Sequence, residues 1–236
     1  MDVRTTAAAG AVTAVRASAG VGVLCLAGSL ALYGVLHVVP PSDRLDWTTR
    51  TISHYALLSN GWVFDVATLL LAAGSLAVLV ALARAGLLRR PAAAALLLWV
   101  AGLVGVVWFE KHNWAAGPSV SGDVHRAASV VAFLSLPAGA LLAATPWLRG
   151  GRARVPARVP ARLVALGGAL SLLSFTPILW AVLAEPWTGV RWWRAVPLGG
   201  VERVLGLAEV ATVLLLAWWA VRSARGAGTA EPSGDS

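Results

Sequence analysis

Two glutamates seven residues apart, Glu202 and Glu209, stand in a stretch that is otherwise almost wholly apolar. On a helix this spacing puts both carboxyl groups on one face, about 10 Å apart along the axis. An acid at the depth of Glu209 must be paired, protonated or next to a water-filled cavity, which makes it a candidate site; hydrogen bonding to Ser171, Ser174 or Thr176 is the structural alternative. Asp65 lies one turn inside another apolar run and has the same status. The remaining polar equipment gathers at apolar-run ends: Ser53, Glu110, Asp123, His125, Arg126 and Arg203 are the further candidates for ligand binding. Arg126 and Arg203 would hold an anionic head group while a carboxylate handles protons. As ion pairs, Asp43 with Arg44, Glu110 with Lys111, Asp123 with Arg126 and Glu202 with Arg203 would instead close the rim.

The elements that position these groups are set by composition. Of 236 residues, 58% are hydrophobic and 13% charged, with a mean hydropathy of +0.75. One soluble core cannot hide so much apolar surface, so lipid is the solvent the chain demands. Apolar runs at 18–39, 61–83, 92–109, 124–146, 161–184 and 198–221 each approach the roughly 20 residues that cross a bilayer, and backbone satisfaction makes them helices. The expected fold is an all-α integral membrane bundle of six helices. Residues 1–17 form an N-terminal tail, 18–221 the membrane domain, and 222–236 a flexible C-terminal tail.

The net charge of +8 and the pI near 11.3 reflect arginines in the gaps between apolar runs, which favours topology over nucleic acid as their explanation. The N-tail, the 84–91 loop, the 147–162 segment and the C-tail hold twelve of the nineteen basic residues. Both termini are therefore expected in the cytoplasm, with the polar cluster facing outside. The arginine-rich 147–162 segment would rest on anionic headgroups, so membrane lipids are expected partners. Most of the twelve tryptophans sit near run ends, as in an interfacial belt. An aromatic ligand cage from Trp108, Trp114, Trp192 and Trp193 is the functional alternative.

Cys25 is alone and lies within the first apolar run, so it makes no intramolecular disulfide. His37, His54, His112 and His125 lack His-Glu-x-x-His or His-x-x-x-His spacing, and no metal or other cofactor is expected. Small residues at four-residue spacing, Ala101 with Gly105 and Gly167 with Ser171, point to close helix packing.

Three short motifs in order resemble a family. These are Thr51-Ile52-Ser53-His54-Tyr55-Ala56-Leu57, Gly122-Asp123-Val124-His125 followed by Ala132-Phe133 and Leu136-Pro137, and Gly199-Gly200-Val201-Glu202-Arg203. Together they resemble the bacterial membrane proteins called domain of unknown function 998, over about residues 18 to 221. The resemblance implies a multi-helix membrane protein with polar signatures on one side, and no established activity. The family more often shows aspartate at the position of His54, and Phe-Pro-x-Asp where Phe109-Glu110-Lys111-His112 stands here, which shifts weight to Ser53, His125, Glu202 and Arg203.

Three functions fit these residues. One is a multi-pass plasma-membrane protein that binds or transports a small or lipid-like ligand at an outer polar pocket. Another is a membrane enzyme that acts on a lipid or isoprenoid, with Glu209 or Asp65 as the acid, much as small polytopic terpene cyclases work. The third is a structural or assembly subunit.

Overall fold

Runs of twenty or more apolar residues in hydrocarbon leave the backbone no partner but itself, and every long element here is helical. The computed structural model describes residues 3–113, 115–149 and 155–228. It contains α1 (Val3–Leu36), α2 (Trp62–Arg84), α3 (Arg90–Trp108), α4 (Val120–Leu148), α5 (Val155–Thr188), the single turn α6 (Trp192–Ala195) and α7 (Leu198–Gly228). All but α6 contain a stretch long and apolar enough to cross a membrane, and no strand occurs among the described residues. Six crossings bring the start of α1 and the end of α7 to the same end of the bundle.

Helix ends follow local chemistry. The first helix begins well before its apolar run because the Ala-rich stretch ahead of it favours helix. Pro91 opens α3, where its missing N–H costs no hydrogen bond. Ser119 caps α4 by accepting from the Gly122 amide at 3.1 Å. Within α5, Pro177 cannot donate to the Leu173 carbonyl. The Thr176 hydroxyl donates to it instead, at 2.6 Å.

Close crossings rely on absent side chains. A Cβ on Gly74 would stand 2.9 Å from the Gly22 carbonyl oxygen, joining α1 to α2, and one on Gly102 would stand 2.9 Å from that of Ala128, joining α3 to α4. The contact residues on α3 are thus Gly102 and Gly105, while Ala101 faces outward. On α5, Gly167 packs against Thr212 of α7 and Gly168 against Pro137 of α4.

The central layer is closed by Trp99 and Trp219, both buried. Trp99 donates its indole N–H to Ser75 Oγ at 2.9 Å, and Trp147 meets Trp219 edge to face. By contrast Trp47, Trp62, Trp108, Trp180, Trp187 and Trp193 are exposed at or near helix ends, the distribution of membrane-interface anchors. Trp192 and Trp193 meet edge to face on α6, and Trp108 is exposed; Trp114 lies outside the described residues.

Candidate functional site

The chain between α1 and α2 folds back over the end of the bundle remote from both termini, and α7 holds it there. Asp46 starts the fold by accepting from the Thr48 amide and hydroxyl at 2.9 and 2.6 Å and from the Thr49 hydroxyl at 2.7 Å. These bonds hold its carboxyl down at about 2. Gly199 then lies so close to this loop that a Cβ would stand 2.3 Å from the Arg50 carbonyl oxygen and 2.6 Å from that of Trp47. The Gly200 amide donates to Thr48 O at 2.9 Å. Glu202 Oε2 accepts the Ile52 amide at 2.5 Å.

Arg203 completes the clamp. It donates to the carbonyls of Trp47, Arg50 and Gly199 at 2.8 to 3.0 Å, to the Tyr55 hydroxyl at 3.1 Å and to His37 Nε2 at 2.9 Å. His37 Nδ1 lies 2.7 Å from the Tyr33 carbonyl. Since a guanidinium only donates and a carbonyl only accepts, Nδ1 carries the ring proton and Nε2 receives from Arg203. The guanidinium of Arg203, expected to hold an anionic head group, bonds to the protein in this structure.

Beneath the clamp lies a chamber of about 300 Å³, at the small end of the roughly 300–1,000 Å³ usual for ligand pockets. Its wall is mainly apolar, with Phe64 and Leu71 from α2, Trp99 and Leu103 from α3, and Phe133 from α4. Ser53, Glu202, Arg203 and Glu209 all line it, so four candidate residues converge there. Tyr33 and Thr68 join them. The Thr68 hydroxyl donates to Phe64 O at 2.8 Å, which leaves Tyr33 as the donor in their 2.7 Å bond.

Glu209 is 1% exposed, and its Oε1 has no hydrogen-bond partner. The expected helix-to-helix bond is not formed, because Ser171, Ser174 and Thr176 each donate to a carbonyl of their own helix. A hydroxyl with a carbonyl three or four residues back satisfies itself at no cost in packing.

Five candidates lie off the chamber wall. Asp65 is one residue from Phe64 on α2, and a helix turns about 100° per residue, which carries it away from the face of Phe64, Thr68 and Leu71. Glu110 is exposed in the connection after α3, and Arg126 is exposed on α4 three residues before Ser129, which lines the chamber. Asp123 approaches His112 Nε2 at 3.2 Å. His125 is buried, with Nδ1 2.9 Å from Phe109 O. Its role is to hold the chain that follows α3, together with His112, which packs over Gly122 and accepts from the Ser119 amide at 3.1 Å.

That held segment delivers Lys111, which the sequence reading named only as an ion-pair partner of Glu110. Lys111 turns away from its neighbour Glu110 and donates to Thr51 Oγ1 and, at 2.9 Å, to Ser53 Oγ. Burial pushes its ammonium down to about 8, with Arg50 and Arg126 adding to the fall and Glu202 opposing it. Burial, Lys111 and Arg50 hold the His54 imidazole down at about 4, so it is neutral near pH 7. One compositional signal for Lys111 was available: it is the sole lysine of the chain. Among the described residues, no group of three or more His, Cys, Asp or Glu converges as a metal site.

Six apolar helices capped by a clamped loop over an internal chamber define a polytopic, all-helical membrane protein. The chain belongs to the family described as protein of unknown function DUF998, whose model matches residues 25–219. No curated protein and no solved structure matches it.

Proposed function

We propose that the chamber binds an amphipathic, lipid-like ligand, with its apolar part between the helices and its polar end beneath the clamped loop. The observation that carries this reading is the partnerless carboxyl oxygen of Glu209 on the wall of an apolar chamber. Buried polar atoms in folded proteins almost always have a partner, and a ligand hydroxyl or amine would supply one.

The flank of the bundle supports entry from lipid. Gly167 of α5 faces Thr212, and Gly168 faces Pro137, so in these antiparallel pairs Leu172 stands level with Leu207 of α7 and Phe133 of α4. Both of those residues line the chamber, and Leu207 is also 61% exposed. Between Ser171 and Ala181 no residue of α5 is buried. The gap between α4 and α7 is thus covered at this level by a loosely seated stretch of α5.

Arginine asymmetry supports the orientation, with both termini cytoplasmic and the clamped loop at the outer surface of the plasma membrane.

The test is saturable binding of a tritiated ether lipid, 1-O-hexadecylglycerol, to the purified full-length protein, read by scintillation proximity. Glu209→Leu removes a hydrogen bond of about 1–1.5 kcal/mol, or roughly tenfold in affinity. Leu207→Trp narrows the flank and slows association. Binding that fails to saturate in the wild type, or that both variants leave unchanged, rules the chamber out as the site.

A further inference from the structure

On the chamber wall a hydroxyl meets an amine at the separation of a nucleophile and its base. Ser53 lines the chamber, and its Oγ lies 2.9 Å from Lys111 Nζ. A nucleophile and its base are recognised by this separation, with a third group orienting the base. Thr51 Oγ1 takes a second bond from the same amine. Glu202, fixed by the Ile52 amide, attracts Lys111 electrostatically from α7.

We propose that Ser53 and Lys111 form a serine–lysine dyad that cleaves the acyl ester of an amphipathic lipid held in the chamber. The proposal rests on the ligand-binding reading above and adds a reaction to it. Thr51 also reaches the amine but does not line the chamber, so Ser53 is the nucleophile and Thr51 a positioning residue. Eighteen of the nineteen basic residues are arginine, and arginine cannot surrender its proton in a protein. Of the lysine and arginine side chains Lys111 alone can act as a base, and it bonds to Ser53; the other serine lining the chamber, Ser129, donates to the His125 carbonyl instead.

The steps balance with water as the only co-reactant. The free amine of Lys111 removes the Ser53 hydroxyl proton as Oγ bonds to the ester carbonyl carbon. The tetrahedral adduct collapses, the carbon–oxygen bond to the alcohol breaks, and the Lys111 ammonium returns the proton to the leaving alkoxide. Water then attacks the acyl-serine, again giving its proton to Lys111. The fatty acid leaves, and Ser53 recovers its hydrogen through the same amine.

The charged and titratable groups around Lys111 are Glu202 from α7, Arg50 and His54 from the loop before α2, and Arg126 and His125 from α4. With the ammonium at about 8, a lysine serves as a general base near neutral pH.

The experiment treats the full-length protein in nanodiscs with a decyl fluorophosphonate and locates the adduct by peptide mass spectrometry. The expected adduct is on Ser53, forming faster as pH rises to a plateau with a midpoint near 8. Lys111→Arg slows it about 100-fold or more and flattens the pH profile, and Ser53→Ala abolishes it. Fatty-acid release from 1-monooleoylglycerol follows the same order. Ether-lipid binding is measured in the same samples. A protein that binds the ether lipid but forms no Ser53 adduct, or whose adduct ignores Lys111→Arg, overturns the dyad and leaves the binding reading standing. Neither binding nor adduct overturns both.

Discussion

His54 shows how one side chain near the clamp ties the loop to pH. An unfolded histidine takes its proton near pH 6.5, whereas the folded one is held at about 4. Between those values the unfolded chain binds a proton that the folded chain refuses, so stability falls as pH drops from about 6.5 toward about 4 and is fully present above that window. Melting the wild type and His54→Gln at pH 7 and pH 4.5 should show a smaller acid penalty in the variant; equal penalties would remove His54 as the cause. The other residues of the site differ in what their surroundings ask of them. Arg203 is spent on carbonyls and a ring nitrogen, Glu202 binds a backbone amide, and Glu209 keeps a buried oxygen without a partner beside the chamber.

At the scale of elements, the three motifs are parts of one docking arrangement. The loop carrying Thr51 and Ser53 is anchored by the start of α7, and the connection carrying Lys111 is anchored by the start of α4 through His112, Gly122 and His125. Gly199 is required because the loop carbonyls of Trp47 and Arg50 occupy the place of a Cβ. Gly199→Ala forces backbone apart and should cost about 1–3 kcal/mol, the usual range for overpacking. A thermal unfolding scan in detergent would register this as a lower melting temperature, and an unchanged one would contradict the close docking. Gly86→Ala, at a positive φ with open space around it, strains a turn remote from the site and serves as the comparison.

For the whole molecule, the decisive property is the arrangement of six crossings around a chamber beneath the clamped loop. The even number places both termini on one side, and the arginine distribution is the basis for proposing that this side is the cytoplasm. With Cys25→Ser as background, a cysteine introduced at Ala116, between α3 and α4, should react with a membrane-impermeant maleimide in intact cells. One introduced at Gly86, between α2 and α3, should react after lysis alone. The reverse pattern would invert the proposed topology.

Apolar run length and the need to satisfy every backbone group in lipid made the six helices legible in the sequence, to within a few residues at most ends; the Ala-rich start of α1 was the main departure. The same spacing argument placed Glu202 and Glu209 on one helix face, and both line the chamber. Helical periodicity could not say which neighbour a face meets. Asp65 pointed away by a single 100° step, and Arg203, read as a ligand holder, was drawn into the loop by unmatched carbonyls. Lys111 and Ser53, 58 residues apart, were brought together by contacts between loops and helix ends that no local pattern encodes. Solvent and chain length settled the spans, because burial in lipid depends on each segment's own composition. Tertiary packing alone decided the site, because a hydrogen bond between distant residues exists only where the folded chain brings donor and acceptor into contact.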